Sequence, residues 1–546
     1  MLTDCRENVH AAGGTIGPCL LLCALGALAM SFGWGFRGDY GHESGAMVPG
    51  ALIAMGVCLA TGREAWFRRC AVLGACGAIG WAFGGQMSYG QITSYTVSHS
   101  FPDVAYGYAS LFTIGMLWGG IGAGLLSFGL TWSRRDLARF IGPLVALGCA
   151  YVLLMAVLGS SSGFASLLEQ FSVNRMHDTD WIQATLALVV ALVYGLCRPA
   201  ERRACVWIAG LALGWWVGYW LLVRGLGLRM SPTILGKVRS DNWAGCVGLW
   251  AALLLGLWWA KNRAGFLLSC YGALAGGYGF SVGDFINKPD KVQWAPFYSH
   301  PWLQGFDHWK WTEQSFGLIM GFGVALGLLR LLRGNLRVEL DDGPYAAWLN
   351  DFCAVVLLGL VPFLNFGQNI KSAGDAAWIL FGLSSAGWLC ATALAIFALM
   401  GVALYKHRHR TLPMAMAPPS AKAQALFFLL MYASVLAATA KGWGNLGNRG
   451  GFFLYGSFWV SVLAATALVL VARPAIRWTG SPPRDSSDVY WRLGWWHGLG
   501  WVLVVPIVVL LTVATLAMHE NPMPGSSLRF GSKASHLQET GIPGGK

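Results

Sequence analysis

Arg37, Asp39, His42 and Glu43 crowd into one short stretch, FGWGFRGDYGHESGAMVPG (32–50), between two apolar runs of membrane-spanning length. A guanidinium, two carboxylates and an imidazole at this spacing can bind an anion, pass a proton or close on themselves as a salt-bridge cluster. Asp39 and His42 could also hold a metal with Glu43 as base, but the spacing is not that of HExxH, and no metal is expected. Gly38, Gly41 and Gly45 let the backbone turn tightly here, so the stretch reads as a re-entry at one membrane face.

Two further strings carry polar groups at that face. GGQMSYGQ (84–91) aligns with GYGFSVGD (277–284), pairing Gly84 with Gly277, Ser88 with Ser281, Gly90 with Gly283 and Gln91 with Asp284. Gly84-Gly85-Gln86 and Gly276-Gly277 are either breaks in helices, whose freed backbone groups bind solute or ion, or close-packing sites. Asp284 follows an apolar run and needs a partner, for which Arg37 is one choice. Asp307, His308 and Glu313 sit in an aromatic-rich loop that is either an interfacial belt or a platform for a sugar or headgroup with an acid or base beside it. The amide-rich strings NFGQNIKSAGD (365–375) and KGWGNLGNRGG (441–451) suit polyol or carbonyl groups and equally suit turns.

These residues are held by an all-α polytopic membrane fold. Hydrophobic residues make up 55% of the chain and charged ones 12%, with mean hydropathy +0.53, far from the roughly 25% charge of soluble domains. At about 20 apolar residues per helix, the runs give about 15 spans (13–15), near 15–36, 46–62, 68–88, 107–131, 138–159, 182–197, 204–223, 242–260, 264–284, 314–333, 351–366, 376–404, 423–440, 451–471 and 497–518. The net charge of +13 lies in short loops between spans, the pattern of cytoplasmic anchoring and not of nucleic-acid binding. Alternation then places the N-terminus in the cytoplasm, the C-terminus outside, and the chain in the plasma (inner) membrane. Segment 224–241 does not fit: Arg224, Arg229, Lys237 and Arg239 fall on the outer side.

The two aligned strings, together with Gly120-x-x-x-Gly124 against Gly323-x-x-x-Gly327, indicate a parallel internal repeat of a four-helix unit. The expected organisation is a first repeat unit at 1–140, linking helices at 141–203, a second unit at 204–345, a C-terminal bundle at 346–518 and a disordered outer tail at 519–546. The 13 cysteines are scattered without CxxC pairs, so they read as small packing residues. Walker, Rossmann, GxSxG and haem motifs are lacking, and no cofactor is expected. The resulting expectation is a transporter or facilitator of a small polar, sugar-like or anionic solute, in contact with the lipid bilayer. Its solute site would use Arg37, Asp39, His42, Glu43, Gln86, Ser88, Ser281 and Asp284. The alternative is a membrane-embedded transferase or hydrolase acting on a lipid-linked or extracytoplasmic substrate, with Asp39, His42, Glu43, Asp307 and Glu313 catalytic.

Overall fold

The computed structural model describes residues 16–520 apart from 41–42, 84–86, 88, 91, 173–175, 177–179, 231–239, 287, 301–302, 304–307, 334–343, 366–378, 381–382, 385–417, 442–448 and 472–494. Its principal helices are α1 (Ile16–Tyr40), α2 (Glu43–Ala60), α3 (Cys70–Ala82), α4 (Phe101–Thr131), α5 (Ile141–Ser160), α6 (Trp181–Cys197), α7 (Arg202–Tyr219), α8 (Asn242–Trp259), α9 (Arg263–Ile286), α10 (His308–Arg333), α11 (Pro344–Val355), α12 (Pro419–Lys441), α13 (Arg449–Val471), α14 (Trp495–Val502) and α15 (Val504–Met518). Two strands of two residues each, Ile379–Leu380 and Leu383–Ser384, pair antiparallel.

Among the described residues, ten helices are long and apolar enough to cross a membrane, and eleven if the bent pair α14 and α15 counts as one span. Apart from that one short strand pair, the described architecture is that of a helical, multi-pass membrane protein, with fewer such helices than the fifteen runs of the sequence. The runs at 68–88 and 182–197 form helices of 13 and 17 residues. The run at 264–284 is the longer α9, which the tyrosines, serines and glycines along it keep out of that group. Most of the run at 376–404 lies outside the described residues.

Six helices close into a ring. α1 packs on α2, α2 on α3, α3 on α4, α4 on α9, α9 on α10, and α10 returns to α1. Lipid tails are as apolar as leucine, so close backbone approach, more than hydrophobic exclusion, holds such helices together. The seam between α4 and α9 shows this most clearly: a Cβ built on Gly115 or Gly119 would collide with the carbonyls of Gly276 and Gly272, and the reverse holds. Gly276-Gly277 thus lies in an unbroken helix and serves packing. Of the two readings of Gly276-Gly277, a break or close packing, the helix shows the second: its glycine face is covered by α4, and Phe112 lies where a Cβ on Gly277 would go. The GGQ of 84–86 lies outside the described residues, just past the end of α3.

Several termini are set by identifiable groups. Gly62, with φ +65°, follows α2 in a left-handed conformation that glycine adopts without cost. α4 starts with Pro102 in its first turn, where the missing N–H is not needed. At the far end of α4 the buried Arg69 donates to the carbonyls of Gly129 (3.2 Å) and Trp132 (2.8 Å), satisfying groups that a helix C-terminus leaves orphaned. Arg69 thus does more than fix orientation as a loop cation.

Candidate functional site

The centre of the six-helix ring is filled by rings from four helices. Trp34 of α1, Trp118 of α4, Phe280 of α9 and Phe316 of α10 are each at most 1% exposed. Their centroids lie 4.6 Å apart for Trp34 and Phe316, 4.9 Å for Trp34 and Trp118, 5.1 Å for Trp118 and Phe280, and 5.0 Å for Phe280 and Phe316. Offset and tilted packing of this kind suits the quadrupoles of aromatic rings, and it joins the four helices through one buried aromatic plug.

An ionic cluster sits against this plug. Arg37, in the last turn of α1 and 2% exposed, uses Nη1 to donate to the Tyr89 hydroxyl at 2.8 Å and to Glu313 Oε1 at 3.1 Å. The Tyr89 hydroxyl donates to the same Glu313 oxygen at 2.9 Å. The guanidinium carbon lies 5.8, 5.5 and 5.6 Å from the ring centroids of Trp34, Tyr89 and Trp118, within the range of cation–π attraction. Charge here is tolerated because Arg37 meets opposite charge, hydrogen bonds and aromatic faces together, and Glu313 Oε1 meets the guanidinium and the Tyr89 hydroxyl. The second Glu313 oxygen, Oε2, is buried without a hydrogen-bond partner. It is directed at Gly38, where a Cβ would strike both Glu313 Oε2 and Lys310 Nζ. Gly38 itself is exposed, so the lack of a side chain there leaves the backbone alone between solvent and the carboxylate.

A second buried pair lies on the neighbouring turn of α9. Asp284 and Lys288 are 0% and 1% exposed, and their Oδ2 and Nζ atoms are 2.8 Å apart. The Thr96 hydroxyl stands 3.0 Å from the same oxygen and 2.7 Å from the Thr93 carbonyl. Asp284 Oδ1 is buried without a partner. Lys288 lies just beyond α9, and burial draws its ammonium below the usual lysine value against the opposing pull of Asp284, by the desolvation penalty on charge.

The sequence expectations separate accordingly. Arg37, Asp284 and Ser281 are buried, Ser281 bonding to the carbonyls of Gly277 (3.0 Å) and Tyr108 (3.3 Å). Arg37 pairs with Glu313 and not with Asp284, whose partner is Lys288, because Lys288 follows Asp284 by one helical turn. Glu43 opens α2, only half-buried. Asp39 lies in the last turn of α1, while His42, Gln86, Ser88 and Asp307 lie outside the described residues. Glu313, expected only as an alternative catalytic group, is the hub of the main cluster. Tyr89, Thr96, Lys288 and Lys310 had no place in the sequence expectation. Tyr89 lies inside the GGQMSYGQ string, and Lys288 was legible from its i+4 spacing to Asp284. The misfit arginines at 224–241 are partly explained: Arg229 pairs with the buried Asp241 at 3.0 Å, and Arg224 lies over the Trp220 ring.

No metal-binding group of three or more His, Cys, Asp or Glu side chains occurs among the described residues. The chain matches no protein-family model, no curated protein and no solved structure.

Proposed function

We propose that this protein is a transporter or facilitator of a small polar, anionic or sugar-like solute, whose control point is the Arg37–Tyr89–Glu313 cluster. The observation that carries this reading is a buried, multiply bonded ion pair between two helices of the ring, set against the aromatic plug. Ionisable groups inside a membrane bundle are costly and mark solute or proton pathways by default. In this reading Arg37 is the anion-recognising group, Glu313 its resident counter-charge, and Tyr89 the hydroxyl that passes between them when solute displaces the carboxylate. Asp284 and Ser281 serve as further solute contacts, and Asp39, His42, Glu43, Gln86 and Ser88 complete the proposed set.

The finer topology belongs to the same proposal: about 15 spans in two parallel four-helix units, with the basic loops cytoplasmic and the clusters facing outward across the plasma membrane. Supporting the duplication, the pairings α1–α2, α2–α3 and α3–α4 recur as α7–α8, α8–α9 and α9–α10. In each copy the segment between third and fourth helix holds short helices, Ile92–Tyr95 in one, Lys288–Lys291 and Ala295–Tyr298 in the other.

A second reading, a membrane-embedded transferase or hydrolase, is favoured by one specific feature. The ring's polar groups in these two clusters gather at one end, and the plug separates them from the other. The test is reconstitution of the purified protein in liposomes, with uptake of labelled monosaccharides, monocarboxylates and phosphate measured beside turnover of lipid-linked sugars. Flux that disappears in Glu313→Gln and falls in Arg37→Lys is the expected result. Flux unchanged in both, or lipid product that depends on Glu313 without flux, overturns the carrier reading.

A further inference from the structure

The C-terminal helix α15 packs on α4 and α9 through its own apolar patch of Val104, Tyr108 and Leu511 with Val282, Ile507 and Leu516. The Tyr108 hydroxyl meets that of Thr515 at 2.7 Å. Immediately beyond α15, His519 Nε2 lies 2.8 Å from the Val97 carbonyl. A carbonyl only accepts, so Nε2 carries the proton and Nδ1 is the bare nitrogen of the neutral ring. Nδ1 is buried without a hydrogen-bond partner. The His99 ring is 4.1 Å away, tilted by 41°. The next residue, Glu520, donates its N–H to the Val292 carbonyl at 3.3 Å, and its Oε1 accepts from the Ala295 N–H at 3.0 Å. Two consecutive residues therefore tie together the segment that delivers Tyr89 and Thr96 and the segment that delivers Lys288.

We propose that His519 and His99 form a proton-operated latch, by which the end of α15 holds these two segments together at neutral pH and releases them in mild acid. Protonating His519 places a hydrogen on Nδ1, where no acceptor waits, and sets an imidazolium beside a second histidine. The carboxylates of the joined segments make no bond to His519: Asp103 at the start of α4 accepts from Ser98 through Oδ2 at 2.9 Å while its Oδ1 is buried without a hydrogen-bond partner, Asp290 is paired with Lys291 at 3.6 Å, and Glu520 accepts from the Ala295 N–H. Burial, helped by His99, draws His519 below the ordinary histidine value. A base with a depressed folded value contributes its full stabilisation above the unfolded value of about 6.5 and loses it as pH falls below that. The latch is independent of whether the clusters serve flux or catalysis.

Hydrogen–deuterium exchange of the full chain in nanodiscs tests this at about pH 7.5 and about pH 5.5, within the window where histidine titrates, with labelling times scaled for intrinsic rates. Peptides covering residues 89–100 and 288–299 are expected to exchange faster at the lower pH, by up to about tenfold, because pH 5.5 lies about one pH unit below the unfolded histidine value. His519→Gln, whose amide keeps a neutral donor for Val97, is expected to stay protected at both. His99→Phe, which keeps an aromatic ring beside His519 and removes the second imidazole, is expected to show a smaller acid response. Equal protection of the native chain at both pH values, or an acid response as large as the native one in either variant, overturns the latch.

Discussion

At the residue scale the decisive group is Glu313. Its Oε1 accepts from both Arg37 and Tyr89, so removing one charge of the Arg37–Glu313 pair leaves an uncompensated buried ion. Glu313→Gln is expected to destabilise the protein by about 3–5 kcal/mol, read by SDS titration in bicelles. The double variant Arg37→Met, Glu313→Leu is expected to recover much of that loss, since the cost lies in the orphaned charge more than in the missing attraction. The pair Arg68–Glu64 provides the contrast: the side chains are 41% and 64% exposed, and Glu64→Gln should change stability by less than about 1 kcal/mol. Equal losses for Glu313→Gln and Glu64→Gln would show that the Arg37 pair is solvated. Tyr89→Phe keeps the ring against Phe280 at 5.0 Å and deletes only the bridging hydroxyl, for an expected cost of about 1–3 kcal/mol.

At the scale of helices, packing through glycine decides which elements meet. Gly119 and Gly272 approach backbone to backbone, so Gly272→Leu must push α4 and α9 apart and disturb Trp118 and Phe280, which those helices deliver to the plug. Loss of folded, monodisperse protein on size exclusion is the expected outcome. Gly148, in α5, has nothing within 4 Å of a built Cβ, and Gly148→Ala should leave the same profile unchanged or gain slightly from helix propensity. The sequence pointed to Gly120, Gly124, Gly323 and Gly327 as small-residue sites. They do face α8 and α9 side chains such as Trp250, Leu253, Ala275 and Tyr271, yet the tightest seam is made by Gly115, Gly119, Gly272 and Gly276. A GxxxG spacing shows that a helix can be approached closely; it carries no information on which helix approaches. Arg69 belongs to this scale as well. Arg69→Gln withdraws two charge-assisted bonds from the end of α4, and faster exchange is expected in the peptide covering residues 125–132, with α1 unaffected.

For the whole molecule, the ring of six helices and the arms around it behave differently. α5 faces outward over most of its length, with 6% of its best span buried, whereas 89% of the corresponding windows in α2 and α4 are buried. Stability should therefore reside in the ring. The proposed sidedness is tested by single cysteines in a cysteine-free background: Lys291→Cys and Ser299→Cys should react with an impermeant maleimide on intact cells, and Arg68→Cys and Arg135→Cys only after permeabilisation. The reverse pattern would invert the topology and place the clusters on the cytoplasmic side.

The amino-acid sequence alone determined that this is a helical membrane protein, because long apolar runs with charge confined between them have few other ways to satisfy a backbone in lipid. It also marked the neighbourhood of the site, since scarce ions beside apolar runs stand out: Arg37, Asp284 and Glu313 were all visible. Tertiary structure alone decided how those ions pair. Arg37 and Glu313 are 276 positions apart, and whether Arg37 meets Glu313 or Asp284 depends on the order of helices around the ring and on the rotation of each about its axis. Glycine seams set that order and rotation through contacts between backbones, which side-chain periodicity does not encode.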